Sequence, residues 1–563
     1  MKIVIIGGVA GGATAAARLR RLNEEAEIII FERSGYVSYA NCGLPYYIGG
    51  EIQDKEELTL QTPESFWRRF KIDVRTYHEV TKINPETKAV SVRNIKTNES
   101  FEESYDKLIL SPGANPVKPN FSAMDSDKVF TLRTVEDTFH IREFIDSNNP
   151  KTAIVIGGGF IGLEMAENLK SRGIDVTILQ KSHQLLNVID QDMASFIHSK
   201  FRSEGVNLLF GVNVNDIKLE ENKPVIYADS MEPIVADMVI VSIGVVPENS
   251  LAKEAGLALG MKGAISVNER MQTSNEDIYA VGDAVEIKHY ITNEKAVIAL
   301  AGPANKQGRI AADNICVIDS KYNGSQGSSV IKLFDMTAAS TGINEVQAKM
   351  AGINYEKVIL SPLSHAGYYP GAKVLTLKVL YEKETLKILG AQGIGYEGVD
   401  KRIDVLATAI YSGLTADKLK DLDLVYAPPY SSAKDPVNMA GFIIDNIENG
   451  IVKQFYYEDL SELTNRDDII LLDTRTEYEF SRGAAEGFIN IPLDDLRDRL
   501  DELDKTKPVY VMCQSGLRSY LATRILNQNG FDSYNFAGGY RLYSSIHYDC
   551  LASSNSFACG MEK

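Results

Sequence analysis

Two glycine-rich turns, 150 residues apart, constrain the fold more than any other feature of this sequence. The first spans Gly7–Gly12 (GGVAGG) after the apolar run Ile3–Ile6, and the second spans Gly157–Gly162 (GGGFIG) after Ala153–Ile156. Both have the strand–turn–helix setting in which backbone amides and a helix N-terminus face a pyrophosphate. Val9 replaces the second glycine of the pattern in the first turn, whereas the second turn is complete. The chain is therefore predicted to bind two dinucleotides.

The residue that ends the strand after each turn distinguishes the two ligands. Glu32 ends the strand after the first turn and suits the ribose diol of an adenosine, here that of FAD. Gln180 and Lys181 stand at the equivalent place after the second turn, where a 2′-phosphate is better tolerated. This pair favours NADPH over NADH, although Lys181 can also be read as an ordinary solvated loop residue.

Three further stretches complete a pattern that resembles two-dinucleotide flavoproteins. Thr273–Asp283 resembles their second FAD motif, in which the Asp binds the ribityl chain, and Leu108–Ala114 and Val239–Pro247 are shared stretches. The candidate FAD ligands are Gly7, Gly8, Ala10, Gly11, Gly12, Glu32, Arg33, Asn41, Pro112, Gly113, Arg133 and Asp283. The candidate ligands of NADPH or NADH are Gly157, Gly159, Gly162, Gln180 and Lys181.

The charge and the cysteine content exclude several classes of function. Lys and Arg total 59 and Asp and Glu total 76, so the net charge of −17 disfavours nucleic acid and anionic membranes as partners. No apolar run reaches the roughly 20 residues that span a bilayer, and Met1 leads directly into an apolar strand without a signal peptide. Five scattered cysteines indicate a reducing cytoplasm rather than a disulfide framework.

The predicted architecture is α/β throughout, apart from one α+β domain. Alternating segments such as Val374–Leu380 indicate antiparallel strands, with helices near 400–412 and 433–448 and a linker at 449–456. The predicted domains are a discontinuous Rossmann-like FAD domain (1–115 and 270–325), a Rossmann-like NAD(P)H domain (116–269), an α+β dimerisation domain (326–448), a C-terminal α/β domain (457–548) and a mobile tail (549–563).

Cys42 follows the Glu32 strand without a second cysteine nearby. Flavin disulfide reductases usually place two cysteines here, five positions apart, but position 47 is Tyr. Cys42 cannot close a local disulfide, so a redox-active thiolate at this position needs an external sulfur or oxygen partner. A nearby helix N-terminus or oxidised flavin would stabilise that thiolate. The alternative is a buried, inert cysteine.

The stretch Ser38–Cys42 (SYANC) resembles the single-cysteine signature of coenzyme A-disulfide reductases and of the related persulfide reductases and NADH oxidases. Ser364–Gly371 and Tyr426–Asp435 resemble motifs of that family's interface domain. The resemblance implies a homodimer in which Tyr368 and Tyr426 reach the active-site sulfur of the other subunit. It also implies coenzyme A contacts at Thr14, Arg18, Arg21, Ser38, Asn41, Asn305 and Lys434.

Two features limit this assignment of the coenzyme A contacts. Arg18 and Arg21 lie three residues apart on a helix and can clamp phosphates, but a solvated charged face gives the same pattern. A lysine of the family near the end of the Trp67–Phe70 segment is Phe70 here, with Lys71 adjacent.

Cys513 begins a second candidate sulfur site. Cys513–Arg518 (CQSGLR) lies between a β-run and a helix, where loop amides stabilise a thiolate or persulfide. The loop resembles that of rhodaneses, with Asp473 and Arg475 in an earlier motif of that family. Four residues between Cys513 and Arg518 favour sulfur transfer over Cys-loop phosphatase chemistry, which needs five. Cys550 and Cys559 are interpreted as incidental, with a redox or sulfur-relay role left open.

The predicted function is reduction of coenzyme A disulfides or persulfides by NAD(P)H through FAD and Cys42. Cys513 and Arg518 would handle sulfane sulfur, and Tyr368 and Tyr426 would position and protonate the leaving sulfur. Two alternatives remain: an NAD(P)H oxidase in which Cys42 cycles through a sulfenic acid, and a sulfur-carrier or redox-sensing module.

Overall fold

The computed structural model describes residues 1–229 and 231–554, which group into two compact units. The first unit comprises Met1–Leu179 and Asn213–Gly327, and the second comprises Gln180–Val212 and Ser328 onward. Within the described residues, no helix combines the length and apolar character that a membrane span requires.

A parallel five-stranded sheet forms around the first glycine turn. Its central strand Lys2–Ile6 pairs in parallel with Glu27–Glu32 on one side and Lys107–Leu110 on the other. Ile3, Val4 and Ile5 have no exposed surface, as expected for a parallel strand covered on both faces. The strand order is Ile278–Ala280, Lys107–Leu110, Lys2–Ile6, Glu27–Glu32 and Asp73–Thr76.

A second parallel sheet repeats this arrangement around the second glycine turn. Thr152–Ile156 pairs in parallel with Asp175–Gln180 and with Met238–Val241, and Val129–Phe130 extends the sheet beyond Met238–Val241. The first unit therefore contains the two predicted doubly wound dinucleotide-binding folds.

The other elements of the first unit connect and flank these sheets. Its helices are Ala10–Leu22, Leu44–Gly49, Pro63–Phe70, Val135–Asn148, Phe160–Ser171, Ser250–Glu254 and Ala301–Ile315. Its antiparallel or mixed sheets contain His78–Asn84, Ala89–Asn94 and Ser100–Ser104; Val214–Glu220, Lys223–Ala228 and Ile234–Val235; Ala114–Pro116 and Val245–Pro247; and Ile265–Ser266, Val285–Lys288 and Lys295–Ala296.

The second unit contains one antiparallel sheet, as predicted from the alternating segments. Its strand order is Ser329–Leu333, Met336–Gly342, Ile388–Gly395, Leu375–Glu382 and Tyr355–Leu360. Two predicted helices are present at Val399–Tyr411 and Pro436–Glu448, and further elements are Gln191–Ser203, Asn207–Phe210 and Glu345–Met350.

A five-stranded parallel sheet follows, and its edges differ from the prediction. The predicted linker at 449–456 contains the strand Lys453–Phe455, which pairs in parallel with Ser533–Phe536. The strand order is Lys453–Phe455, Ser533–Phe536, Val509–Met512, Ile470–Asp473 and Ile489–Asn490. The accompanying helices are Leu460–Leu463, Glu477–Ser481, Leu517–Gln528 and Gly539–Ser554.

The predicted mobile tail is wrong for residues 549–554, because the Gly539–Ser554 helix runs through them. Asp549 accepts a hydrogen bond from His198 (Nδ1 to Oδ2, 2.7 Å), which ties this helix to the Gln191–Ser203 helix of the same unit. Cys550 is buried and disulfide-bonded rather than incidental, and Cys559 lies outside the described residues.

A fully buried lysine connects three segments of the second unit. The Lys378 ammonium lies 2.9 Å from Asp190, 2.8 Å from Asp192 and 2.5 Å from Glu345. Burial alone would lower the pKa of Lys378, but these carboxylates outweigh it and hold the pKa well above its ordinary value. Lys357 pairs with Glu345 as well, at 3.0 Å.

Replacing Lys378 with Met is expected to destabilise the second unit by about 3–5 kcal/mol, because three buried carboxylates lose their shared cation. Hydrogen–deuterium exchange of the Leu375–Glu382 strand across a urea series measures this change. The control Lys383→Met removes a half-exposed lysine that pairs with Glu356, and should cost less than about 1 kcal/mol. Equal effects of the two substitutions would contradict the assignment.

Candidate active sites

Close backbone contacts shape both glycine turns in the same way. A Cβ on Gly12 would lie 2.0 Å from the carbonyl oxygen of Gly7, and a Cβ on Gly162 would lie 1.9 Å from that of Gly157. Gly7 and Gly157 also adopt positive φ angles of 93° and 104°. Only glycine permits this approach of the helix start to the strand end.

The start of each following helix is open to an anion. The Ala10–Leu22 and Phe160–Ser171 helices have no side-chain cap and no acidic residue in their first turns. Their first backbone amides have no intrahelical partner, so a phosphate can accept hydrogen bonds from them. A Cβ on Gly159 would meet nothing within 4 Å, which leaves room beside the second turn.

The first turn opens into a cavity of about 380 Å³ whose lining suits FAD. The Glu32 carboxylate lies at its wall and accepts hydrogen bonds from the amides of Gly8 and Ser34, both at 2.9 Å. Burial raises the pKa of Glu32, and that of Asp283 further along the wall. The candidate ligands that line the cavity are Gly7, Ala10, Gly11, Glu32, Arg33, Asn41, Pro112, Gly113, Arg133 and Asp283.

The two remaining FAD candidates support this cavity from behind. Gly8 donates its amide to Glu32, and Gly12 packs on Gly7. The glycine turn, the buried carboxylate of Glu32 and the extended lining of the cavity fit a dinucleotide, so these residues would hold FAD.

Cys42 lies beside this cavity in acidic surroundings. Its thiol is free and exposed, and Asn41 before it lines the cavity. Desolvation by the surrounding protein raises the pKa of Cys42, and the carboxylates of Glu164 and Asp283 raise it further. These groups of the chain do not stabilise the thiolate, and its stabilisation by a bound oxidised flavin stays a prediction.

Glu164 is a residue that the sequence reasoning missed. It lies on the Phe160–Ser171 helix, two residues after the second glycine turn, and hydrogen bonds with Tyr46. Burial, followed by the nearby charge of Glu167, raises the pKa of Glu164 to about 7. The one sequence feature that could have indicated a role for Glu164 is its position two residues after the second glycine turn.

Six of the seven candidate coenzyme A contacts lie in the first unit, and two of them are hydrogen-bonded to each other. Thr14 donates a hydrogen bond to Asn305 at 2.7 Å, and Arg18 donates one to Asp313 at 2.7 Å. Arg18 is thus held by a carboxylate, whereas Arg21 is exposed. Ser38 has a positive φ of 48° and donates its amide to Gly8.

The remaining candidates lie in the second unit. The hydroxyls of Tyr368 and Tyr426 are hydrogen-bonded at 2.8 Å although 58 residues separate them, and both side chains are exposed. This hydrogen bond raises the pKa of Tyr368. Lys434 and Lys181 are exposed, and the Gln180 amide donates to Ser182 and to the carbonyl of Gln184.

The Cys513 sulfur lies at the bottom of a loop that points hydrogen-bond donors at it. Cys513 is buried, and its Sγ accepts hydrogen bonds from the Gly516 amide and the Ser519 hydroxyl, both at 3.2 Å. Gly516 adopts a φ of 100°, which turns the loop into the Leu517–Gln528 helix. These donors suit a thiolate or a persulfide.

Both arginines associated with this loop are paired with carboxylates. Arg518 donates two hydrogen bonds of 2.7 Å to Glu479, and Arg475 makes a buried pair with Asp473 at 2.7 Å. Glu479 and Ser519 were not anticipated. The Thr476–Glu479 spacing carries a capping-box signal, but it does not indicate the arginine partner.

Comparison with protein families assigns the chain. Residues 1–308 match the pyridine nucleotide-disulphide oxidoreductase family, 328–436 match the dimerisation domain of that family, and 457–545 match the rhodanese-like domain. The chain therefore belongs to the pyridine nucleotide-disulphide oxidoreductase family and carries a C-terminal rhodanese-like domain. FAD and a nicotinamide nucleotide are its cofactors, and the predicted fold class is confirmed.

Three relatives illustrate the similarity. A coenzyme A disulfide reductase of Staphylococcus aureus (strain bovine RF122 / ET3-1) is 40% identical over 447 residues, 78% of this chain and 99% of that protein. The crystal structure of reduced Bacillus anthracis CoADR-RHD is 49% identical, with a TM-score of 0.94 over 97% of this chain and 98% of that chain. A NAD-dependent persulfide reductase from A. fulgidus is 38% identical, with a TM-score of 0.91 over 96% and 100%.

Replacing Glu164 with Gln is expected to lower the pKa of Cys42, because it removes a nearby negative charge. At pH 7, alkylation of Cys42 by iodoacetamide should become about threefold faster or more. Peptide mass spectrometry of the FAD-bound protein separates Cys42 from the other free cysteines. The control Glu143→Gln, on an exposed part of the Val135–Asn148 helix, should leave the rate unchanged. A slower reaction of the Glu164 variant would contradict the electrostatic explanation.

Proposed function

We propose that this protein uses NAD(P)H to reduce disulfides or persulfides of coenzyme A at Cys42, and that Cys513 handles sulfane sulfur. The names of two relatives support the substrate class, since one is a coenzyme A disulfide reductase and another a NAD-dependent persulfide reductase. Gln180 and Lys181 favour NADPH as the hydride donor.

The observation that carries the proposal is the isolation of Cys42. Its thiol is free, and Tyr47 occupies the place where a second cysteine would stand. A redox cycle at a single protein thiol needs a sulfur partner from outside the chain. A substrate that itself contains a sulfur–sulfur bond supplies that partner.

The chemistry at Cys42 begins with its thiolate attacking the substrate. A new bond forms between Cys42 and one sulfur, the substrate S–S bond breaks, and the second sulfur leaves with the electron pair and takes up a proton. FAD, when bound, relays an electron pair from the nicotinamide to sulfur. The Glu164 carboxyl, which hydrogen bonds with Tyr46, acts electrostatically on Cys42, and we propose that it holds a proton for the reacting sulfur.

Tyr368 and Tyr426 are proposed to act on the active site of the partner subunit of a homodimer. Their hydroxyls are hydrogen-bonded to each other and both side chains are exposed, so they are available to a second chain. One hydroxyl can donate a proton to a leaving thiolate, while the other donates a hydrogen bond to the oxygen of the first. Thr14, Arg18, Arg21, Ser38, Asn305 and Lys434 remain the proposed coenzyme A contacts.

Cys42→Ser is expected to keep its bound flavin and to lose reduction of coenzyme A disulfide by about 10³-fold or more, because serine forms no mixed disulfide. Initial rates of NADPH oxidation, together with the flavin absorbance spectrum, measure both. The control Cys316→Ser changes a partly exposed free cysteine and should have no effect.

Two outcomes would redirect the assignment. Oxygen consumption at saturating NADPH without any disulfide would identify an oxidase that cycles through a sulfenic acid. No turnover with any acceptor, alongside a stable persulfide on Cys513, would identify a sulfur carrier.

Cys513→Ser is expected to separate the two activities. Reduction of coenzyme A disulfide should be unchanged, while transfer of sulfane sulfur to cyanide, measured as thiocyanate, should disappear. Loss of both activities in a correctly folded variant would show that the two cysteines act in one obligatory sequence.

A further inference from the structure

Glu479 controls the charge that surrounds the Cys513 sulfur. It accepts two hydrogen bonds from the Arg518 guanidinium, one on each carboxylate oxygen and each 2.7 Å long. Arg518 lies in the first turn of the helix that follows the Cys513 loop. Glu479 raises the pKa of Arg518 most, and Cys513 raises it further. The cation next to the nucleophile is therefore neutralised by a carboxylate from another helix.

The position of Glu479 is fixed by a capping box. The Thr476 amide and hydroxyl both donate to Oε2 of Glu479, at 3.0 and 2.9 Å, and the Glu479 amide donates to the Thr476 hydroxyl at 3.2 Å. The hydrogen bonds from Arg518 and Thr476 outweigh partial desolvation and lower the pKa of Glu479 to about 2. The carboxylate is therefore ionised throughout the neutral range, and its pairing with Arg518 is a standing feature of the site.

The second arginine of the site cannot replace Arg518. Arg475 is buried, pairs with Asp473 through both Nε and Nη2, and also donates to the Gly483 carbonyl at 2.8 Å. Its guanidinium stacks 3.7 Å from the Tyr540 ring. No net positive charge from these two arginines is left for a substrate.

We propose that Glu479 sets the donor specificity of Cys513 and excludes thiosulfate in favour of the persulfide of a low-molecular-weight thiol. Thiosulfate is a dianion, and its sulfonate group needs an unpaired cation beside the sulfur it delivers. A thiol persulfide carries at most one negative charge on its sulfur pair, and the Gly516 amide and the Ser519 hydroxyl already donate to the Cys513 sulfur that would attack it. This inference rests on the proposed sulfur-transfer role of Cys513.

The two donor reactions differ in their leaving groups. With a persulfide RSSH, the Cys513 thiolate bonds to the terminal sulfur, the S–S bond of the persulfide breaks, and the thiolate RS⁻ leaves with the electron pair. With thiosulfate, the same attack releases sulfite, a dianion. Only the reaction with thiosulfate requires a dianionic substrate and a dianionic product to occupy a site whose cation, Arg518, is already neutralised by Glu479.

Glu479→Gln tests the proposal, because Gln keeps the capping acceptor and removes the charge. The full-length FAD-bound protein is assayed for thiocyanate formation from cyanide, with inorganic thiosulfate or glutathione persulfide as donor, and the rate of Cys513→Ser is subtracted. The ratio of kcat/KM for thiosulfate to that for the persulfide should rise about tenfold or more, since one charged hydrogen bond becomes available. The gain should fall as salt is added.

Two further variants keep the test decisive. Glu477→Gln, an exposed carboxylate on the same helix, should leave the ratio unchanged. The double variant Glu479→Gln/Arg518→Gln should lose the gain, because the freed cation is gone. A wild-type protein that uses thiosulfate as well as the persulfide, or a Glu479 variant with an unchanged ratio, overturns the proposal. No Cys513-dependent transfer from either donor overturns the sulfur-transfer role itself.

Discussion

The first unit depends on the contact between Gly12 and the carbonyl of Gly7, repeated between Gly162 and Gly157. Each glycine lets a helix begin directly against the end of a parallel strand, where any Cβ would lie about 2 Å from a backbone oxygen. The helix start is thereby fixed, with its unpartnered amides turned toward the same edge of the sheet. Val9 can replace the middle glycine of the first turn because the close contact involves the outer two. Glu164 follows the second turn by two residues, so an uncapped helix start and a carboxylate whose charge raises the pKa of Cys42 lie close together in the sequence.

The second unit relies on buried charge instead. Lys378 is inaccessible to solvent and is surrounded by Asp190, Asp192 and Glu345. Replacing buried ion pairs by apolar groups is often neutral or stabilising, so we interpret this cluster as a source of structural specificity more than of stability. It allows a single arrangement of the sheet, the Glu345–Met350 helix and the 180–212 segment, because every displacement leaves a charge unpaired. The pair between His198 and Asp549 extends the same segment to the last helix of the rhodanese-like domain.

Local patterns in the sequence predicted the parts of the fold that local chemistry determines. The glycine turns, the strand at Leu375–Glu382 and the two interface helices follow from spacing and periodicity, and the solitary Cys42 follows from the absence of a cysteine at position 47. The pairs Arg18–Asp313 and Arg518–Glu479 were not predictable, because they join residues 295 and 39 positions apart. Lys378 occupies a position in an alternating strand that is compatible with exposure, and only the packing of both sheet faces buries it. The strand Lys453–Phe455 lies in a segment whose sequence predicts a linker, because a three-residue edge strand carries too few residues to show periodicity.

The two candidate reactive cysteines lie in different surroundings, and this difference is compatible with the division of labour in the proposed function. Cys42 is exposed, but desolvation, followed by the charges of Glu164 and Asp283, raises the pKa of its thiol and disfavours the thiolate. In the proposed function, its reactivity therefore depends on the flavin that the neighbouring cavity would hold. Cys513 is buried, and its sulfur receives two hydrogen bonds from the protein itself, one from the Gly516 amide and one from the Ser519 hydroxyl. In the proposed function, Cys513 holds sulfane sulfur without a cofactor, whereas Cys42 reacts only when reducing equivalents arrive. These separate requirements are compatible with one chain that carries both sites.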